Sequence, residues 1–82
     1  MSSSKVARLI VHRFEYLSSD GLIRLDLVND FYGTWRVYNH EANHVVTYKS
    51  VSDSALHGYR RKILAEGYSL ARVVTNQGTL EV

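Results

Sequence analysis

Residues 22–48, LIRLDLVNDFYGTWRVYNHEANHVVTY, constrain the fold of this chain more than any other stretch. From Ile23 the side chains alternate, with Ile23, Leu25 and Leu27 on one side and Arg24, Asp26 and Val28 on the other. A period of two marks a half-buried β-strand, because a helix would scatter these positions over several faces. Asn29-Asp30-Phe31-Tyr32-Gly33 supplies turn residues, and Gly33 can take the positive φ that a reversal often needs. Alternation then resumes, with Trp35 and Val37 facing away from Thr34, Arg36 and Tyr38. Residues 39–43 break the pattern and Val45-Val46-Thr47-Tyr48 restores it, so the stretch predicts an antiparallel meander of three strands.

The flanks extend this plan. Residues 6–17 are β-rich and apolar on both sides around Leu9-Ile10-Val11, which predicts a central strand covered on both faces. Ser18-Ser19-Asp20-Gly21 suits a tight hairpin into the meander. Over residues 50–67 the period changes: Leu56, Tyr59 and Ile63 stand at i, i+3 and i+7, one stripe of a helix. Ser52 is a favourable N-cap, Asp53 suits the positive end of the helix dipole, and Val51 with Leu56 can form a hydrophobic staple. Gly67 is placed to end the helix. Gly58 inside it costs about 1 kcal/mol against alanine, which suggests that the sheet approaches that turn closely. Residues 68–75 alternate again, Asn76-Gln77-Gly78 makes a turn, and residues 79–82 offer a short closing strand. The expected fold is α+β: an antiparallel sheet of four strands, then one helix, then one or two strands, with the helix packed on one face.

Residues 1–4 read as a disordered polar lead-in and residues 5–82 as one domain. A chain of 82 residues buries only about 60–65% of its unfolded surface, so its core is easily disrupted. It has no cysteine, hence no disulfide and no thiolate metal site, which is compatible with a reducing compartment. Neither a signal peptide nor an apolar membrane-spanning segment is expected, which points to the cytoplasm, or the nucleus in a eukaryote. Ten Lys and Arg against eight Asp and Glu give a formal charge of +2, too mild to define a nucleic-acid binder alone. The arrangement says more, since Arg60, Arg61 and Lys62 are consecutive while no two acidic residues adjoin. Six Tyr, two Phe and one Trp exceed what a small core can hide, so some tyrosines must line a surface.

Arg60, Arg61 and Lys62, with Lys49 and Arg36, form a candidate surface for phosphates. The competing reading makes them solvated helix residues whose charge complements the helix C-terminus. Trp35, Tyr38 and Tyr48 are candidate stacking platforms for bases. Trp35 shares a side with Val37 and is expected in the core, whereas Tyr38 points the other way. His40 and His44 flank Glu41, but a loop leading into a strand does not enforce helical ligand geometry, and no metal or other cofactor is expected. His57 reads as an exposed or capping-type polar residue of the helix. No nucleophile elbow, phosphate loop or paired-carboxylate motif occurs, so no catalytic residues are assigned and the chain is not expected to be an enzyme.

One family shares several of these features. Leu25, Leu27, Asp30, Tyr32, Gly33 and Trp35 resemble the meander of the WGR domain, and Tyr48, Ser52, the Arg60-Arg61-Lys62 run and Gly67-Tyr68 resemble its later part. The resemblance covers roughly residues 9–68. The tripeptide that names the family is not present at Glu41-Ala42-Asn43, and the Gly-x-x-Gly loop that should follow is missing. WGR domains occur in poly(ADP-ribose) polymerases, where they touch DNA ends and neighbouring domains, and in small bacterial proteins. The resemblance therefore implies a small non-enzymatic accessory module that binds DNA or RNA. The alternative expectation is a protein-binding module or inhibitor, of phage or mobile-element type, that covers part of a larger complex; exposed Tyr and Arg suit both.

Overall fold

The computed structural model describes residues 8–42 and 44–82. The expected lead-in at residues 1–4, the start of the first strand at Val6, and Asn43 lie outside the described residues. The elements are β1 (Val11–Leu17), β2 (Ile23–Asn29), β3 (Thr34–Glu41), β4 (His44–Ser52), α1 (Asp53–Ala65), β5 (Ser69–Thr75) and β6 (Gly78–Glu81). All strands join one antiparallel sheet in the order β4-β3-β2-β1-β5-β6.

This corrects the expected sheet, which left one or two strands after the helix and gave no spatial order. The sheet has six strands, and the chain leaving α1 crosses back to the far side of β1, so that Phe14 faces Val73 while also facing Leu27. Hairpins are written into local turn residues, but pairing between β1 and β5 depends on tertiary packing. Two further expectations change. Leu9 and Ile10 precede β1 and are 57% and 39% exposed, so that segment is not a strand covered on both faces. A Cβ at Gly58 would meet none of the described residues within 4 Å, so the sheet does not approach the helix closely there.

The alternation of the strands delivers one apolar face. Phe14, Tyr16, Leu25, Leu27, Trp35, Val37 and Val51 line it, and α1 closes it with Ile63, which is 2% exposed. Burying that one side chain is worth about 1.5–3 kcal/mol. Leu56, Tyr59 and Tyr68 pack around the same cluster. Tyr59 sits beneath the Lys49 ammonium, 4.9 Å from its ring centre, and burial raises its phenol above the usual pKa.

Both ends of α1 are tied down. Ser52 has the extended backbone of an N-cap, yet its hydroxyl meets Ser54 rather than a helix N–H. Asp53 does the anchoring: its Oδ1 accepts the Trp35 indole N–H at 2.7 Å, and its own N–H donates to the Gly33 carbonyl at 2.9 Å. A buried indole thereby gains its partner while a carboxylate stands at the positive end of the helix. At the other end Gly67 takes φ 102°, Tyr68 N–H reaches the Ile63 carbonyl and Gly67 N–H reaches the Leu64 carbonyl. These are the two bonds of a Schellman cap.

Candidate nucleic-acid interface

Among the described residues, no element covers the sheet face opposite α1. One row of directly paired residues crosses all six strands of it: Glu81, Arg72, Glu15, Asp26, Tyr38 and Tyr48, in spatial order from β6 to β4. Glu15 and Asp26 stand opposite each other and are only 7% and 6% exposed. Two like charges in that position repel, and burial raises the cost, so the sequence must place cations around them. It does so two residues away on the same strands. Arg13 Nε lies 2.8 Å from Glu15 Oε2, and Arg24 Nε donates to Asp26 Oδ1 at 3.1 Å. Arg72 spans Glu15 at 3.7 Å and Glu81 at 2.9 Å, and His40 Nε2 lies 3.1 Å from Asp26 Oδ2. The middle of this face is thus a charge lattice that largely neutralises itself.

The β3–β4 end differs. Tyr38 and Tyr48 meet edge to face, with ring centres 5.3 Å apart, and Tyr48 is 54% exposed. Arg36 is exposed and makes no ion pair among the described residues. The hydrogen bond to Tyr38, and then the nearby Tyr48, push its guanidinium pKa further up, so it stays charged. Beyond Tyr38 lies His40, 6.4 Å from it between ring centres. His40 and Arg24 border an open groove between the β1–β2 and β3–β4 turns, with Leu17, Leu22 and Glu41 on its other walls. A cation beside an exposed aromatic ring can hold a phosphate while a base stacks on the ring.

The proposed residues do not form one patch. Arg36 and Tyr38 share the face without the helix. Lys49 is on the opposite face against Tyr59, and Arg61 and Lys62 are exposed on α1. Arg60 turns inward: its guanidinium carbon is 3.7 Å from the Phe14 ring centre, and Nε donates to the Tyr16 hydroxyl at 2.6 Å. Trp35 is 5% exposed and stacks on Phe14 at 5.5 Å, in the core. His40 is engaged with Asp26, and among the described residues no three His, Asp or Glu side chains converge on a metal position. No described helix is long and apolar enough to cross a membrane.

Sequence reasoning missed the lattice, although its signal was present. Arg13-x-Glu15, Arg24-x-Asp26 and Arg36-x-Tyr38-x-His40 place an arginine two residues before a carboxylate or a tyrosine, on the same side, on three neighbouring strands. The tip of the β2–β3 turn is a second exposed site. Phe31 (φ 64°) and Tyr32 are 57% and 91% exposed there, held by Asn29 and Asp30 side chains that accept their backbone N–H groups. Comparison with known proteins returns no match: no family model, curated protein or solved structure is similar to this chain.

Proposed function

We propose that the chain is a small, non-enzymatic nucleic-acid-binding accessory module with a WGR-like plan, acting in the cytoplasm or, in a eukaryote, the nucleus. Its ligand is a single strand or an unpaired end of DNA or RNA. The observation that carries this reading is the Tyr38–Tyr48 pair beside Arg36, which is exposed and makes no ion pair among the described residues, on an uncovered strand face. Tyr38 and Tyr48 stack bases and Arg36 holds the phosphate between them. Arg61, Lys62 and Lys49 add distant, non-specific attraction. Arg60 is left out of the contact set because Phe14 and Tyr16 occupy it. Binding falls with salt, each cation that contacts a phosphate adding about one to the slope.

The test is titration of labelled single-stranded, nicked and duplex DNA and of RNA at low salt. Tyr48→Ala and Tyr38→Ala are expected to weaken binding by about 1–3 kcal/mol per stacked base, roughly tenfold or more. Arg36→Ala is expected to reduce the salt slope by about one. Absence of binding to every probe at low salt ends this reading.

The Phe31–Tyr32 tip supports a second reading, a protein-binding module or inhibitor. An exposed aromatic pair on a turn whose backbone is held by hydrogen bonds is the kind of anchor that fills a partner's pocket. In that case Tyr32→Ala abolishes capture of a nuclease-resistant protein partner while Tyr48→Ala does not.

A further inference from the structure

The face opposite α1 limits where an anion can lie. Straight across the sheet, Tyr48 and Tyr38 are followed by Asp26 and Glu15, whose carboxylates oppose a phosphate. Along β3 the charges have the opposite sign. β3 keeps an unbroken register with β2 from Trp35 to Glu41, so Arg36, Tyr38 and His40 share this side at every second position. His40 stands directly opposite Arg24. Tyr38 is therefore flanked by Arg36 in one direction and by the Arg24–His40 pair in the other.

That pair holds Asp26, Arg24 through Nε and His40 through Nε2, each at 3.1 Å. Nε is one of five N–H donors on a guanidinium, and the Arg24 side chain is 46% exposed, so donors remain for a ligand. Arg24 and His40 also wall the groove between the β1–β2 and β3–β4 turns, which offers about 830 Å³ beside the apolar Leu17 and Leu22. That is room for a small organic group. Two carboxylates line it as well. Asp20 Oδ1 accepts the Ser18 hydroxyl and the Leu22 N–H, and Glu41 is exposed. Both can accept N–H groups of a base and both repel a further phosphate.

We propose that a bound single strand turns at Tyr38, follows β3 and enters this groove, so that the site takes three consecutive nucleotides. The proposal rests on the stacking reading above. Two bases lie on Tyr48 and Tyr38 with the phosphate between them on Arg36. The next phosphate lies on Arg24 and His40, and the third base fills the groove against Leu17 and Leu22. Stacking and apolar contact accept any base, so recognition is by length and backbone rather than by sequence.

The probes are thymidine oligomers of two and three nucleotides without terminal phosphates, titrated over a range of low salt concentrations. The trinucleotide should bind at least tenfold tighter, with a salt slope steeper by roughly 0.7–1, the share of one more phosphate. Arg24→Gln should remove that difference in slope and leave dinucleotide binding unchanged. Because this substitution loosens the hold on Asp26, the unmodified chain supplies a second readout. Its Leu17 and Leu22 methyl resonances should move with the trinucleotide and stay in place with the dinucleotide. Equal affinity and slope for the two probes, or a trinucleotide that leaves both leucines unmoved, overturns the third position; the stacking reading then stands if Tyr48→Ala still weakens both. If longer single strands bind and the trinucleotide does not, the three-nucleotide site is overturned. If no single strand binds, the stacking reading falls and this extension falls with it.

Discussion

Replacing Arg60 by alanine removes two contacts at once. The guanidinium leaves the Phe14 ring, a cation–π contact worth about 0.5–2 kcal/mol depending on its desolvation. It also leaves the hydroxyl of Tyr16, a residue with 0% exposure, without its donor. A buried polar group stripped of its partner costs about 1–3 kcal/mol. Arg60 keeps some solvent contact, so the sum is expected at about 2–4 kcal/mol, a large part of the 5–15 kcal/mol that holds a typical domain together. At roughly 4–8 °C per kcal/mol, the melting temperature should fall by about 8–32 °C. The assay is urea unfolding followed by circular dichroism, with Arg61→Ala as the neighbour that should change stability by less than about 0.5 kcal/mol. Arg60→Lys keeps the charge but not the planar fork, and should fall between the two. Equal stability of Arg60→Ala and Arg61→Ala would refute the placement of Arg60. The result also guards the functional test, because lost binding in Arg60→Ala would report unfolding rather than a missing phosphate contact.

Gly58→Ala should stabilise by up to about 1 kcal/mol, since the new methyl meets nothing and the helix gains propensity; a lower urea midpoint would refute the open site. Asp53→Ala should cost about 1–2 kcal/mol by stranding the Trp35 indole N–H and weakening the helix start, and tryptophan fluorescence should shift in the folded state. Asp20 is held below the usual carboxylate pKa, first by the Ser18 hydroxyl and then by Leu22 N–H. Its folded pKa is depressed, so its contribution is present above the unfolded value of about 3.9 and fades as pH falls through the folded one. The stability gap between the native chain and Asp20→Ala should therefore narrow on acidification, and a gap constant with pH would contradict this.

Much of the fold could be read directly. The alternation of residues 23–29 and 34–38 gave two strands on their true faces, and the stripe Leu56, Tyr59, Ile63 gave the helix side that packs. Sheet order was not legible, because nothing local to Leu70 or Val73 states that β1 is its neighbour. The error at Arg60 has a geometric cause. Successive helix residues are about 100° apart, so three consecutive cations cannot share one direction. Arg60 stands four residues after Leu56 and belongs to the buried stripe, and the i+4 position already said so. The paired carboxylates were hidden for the opposite reason: Glu15 and Asp26 look solvent-facing by alternation, yet Arg13 and Arg72 flank the first, Arg24 and His40 the second, and both are buried.

The crossing from α1 to the far side of β1 also sets an order of events. The β1 to β4 ribbon can form by short hairpin closures, each between residues close along the chain. Pairing Phe14 with Val73 closes most of the chain in one loop, and that entropy is recovered only when the strand has docked. Substitutions in the β2–β3 hairpin should therefore act mainly on the folding rate, and substitutions in β5 mainly on the unfolding rate. Until β5 arrives, β1 is itself a bare edge carrying Phe14 and Tyr16, so the interval before docking is when this chain is most open to wrong partners.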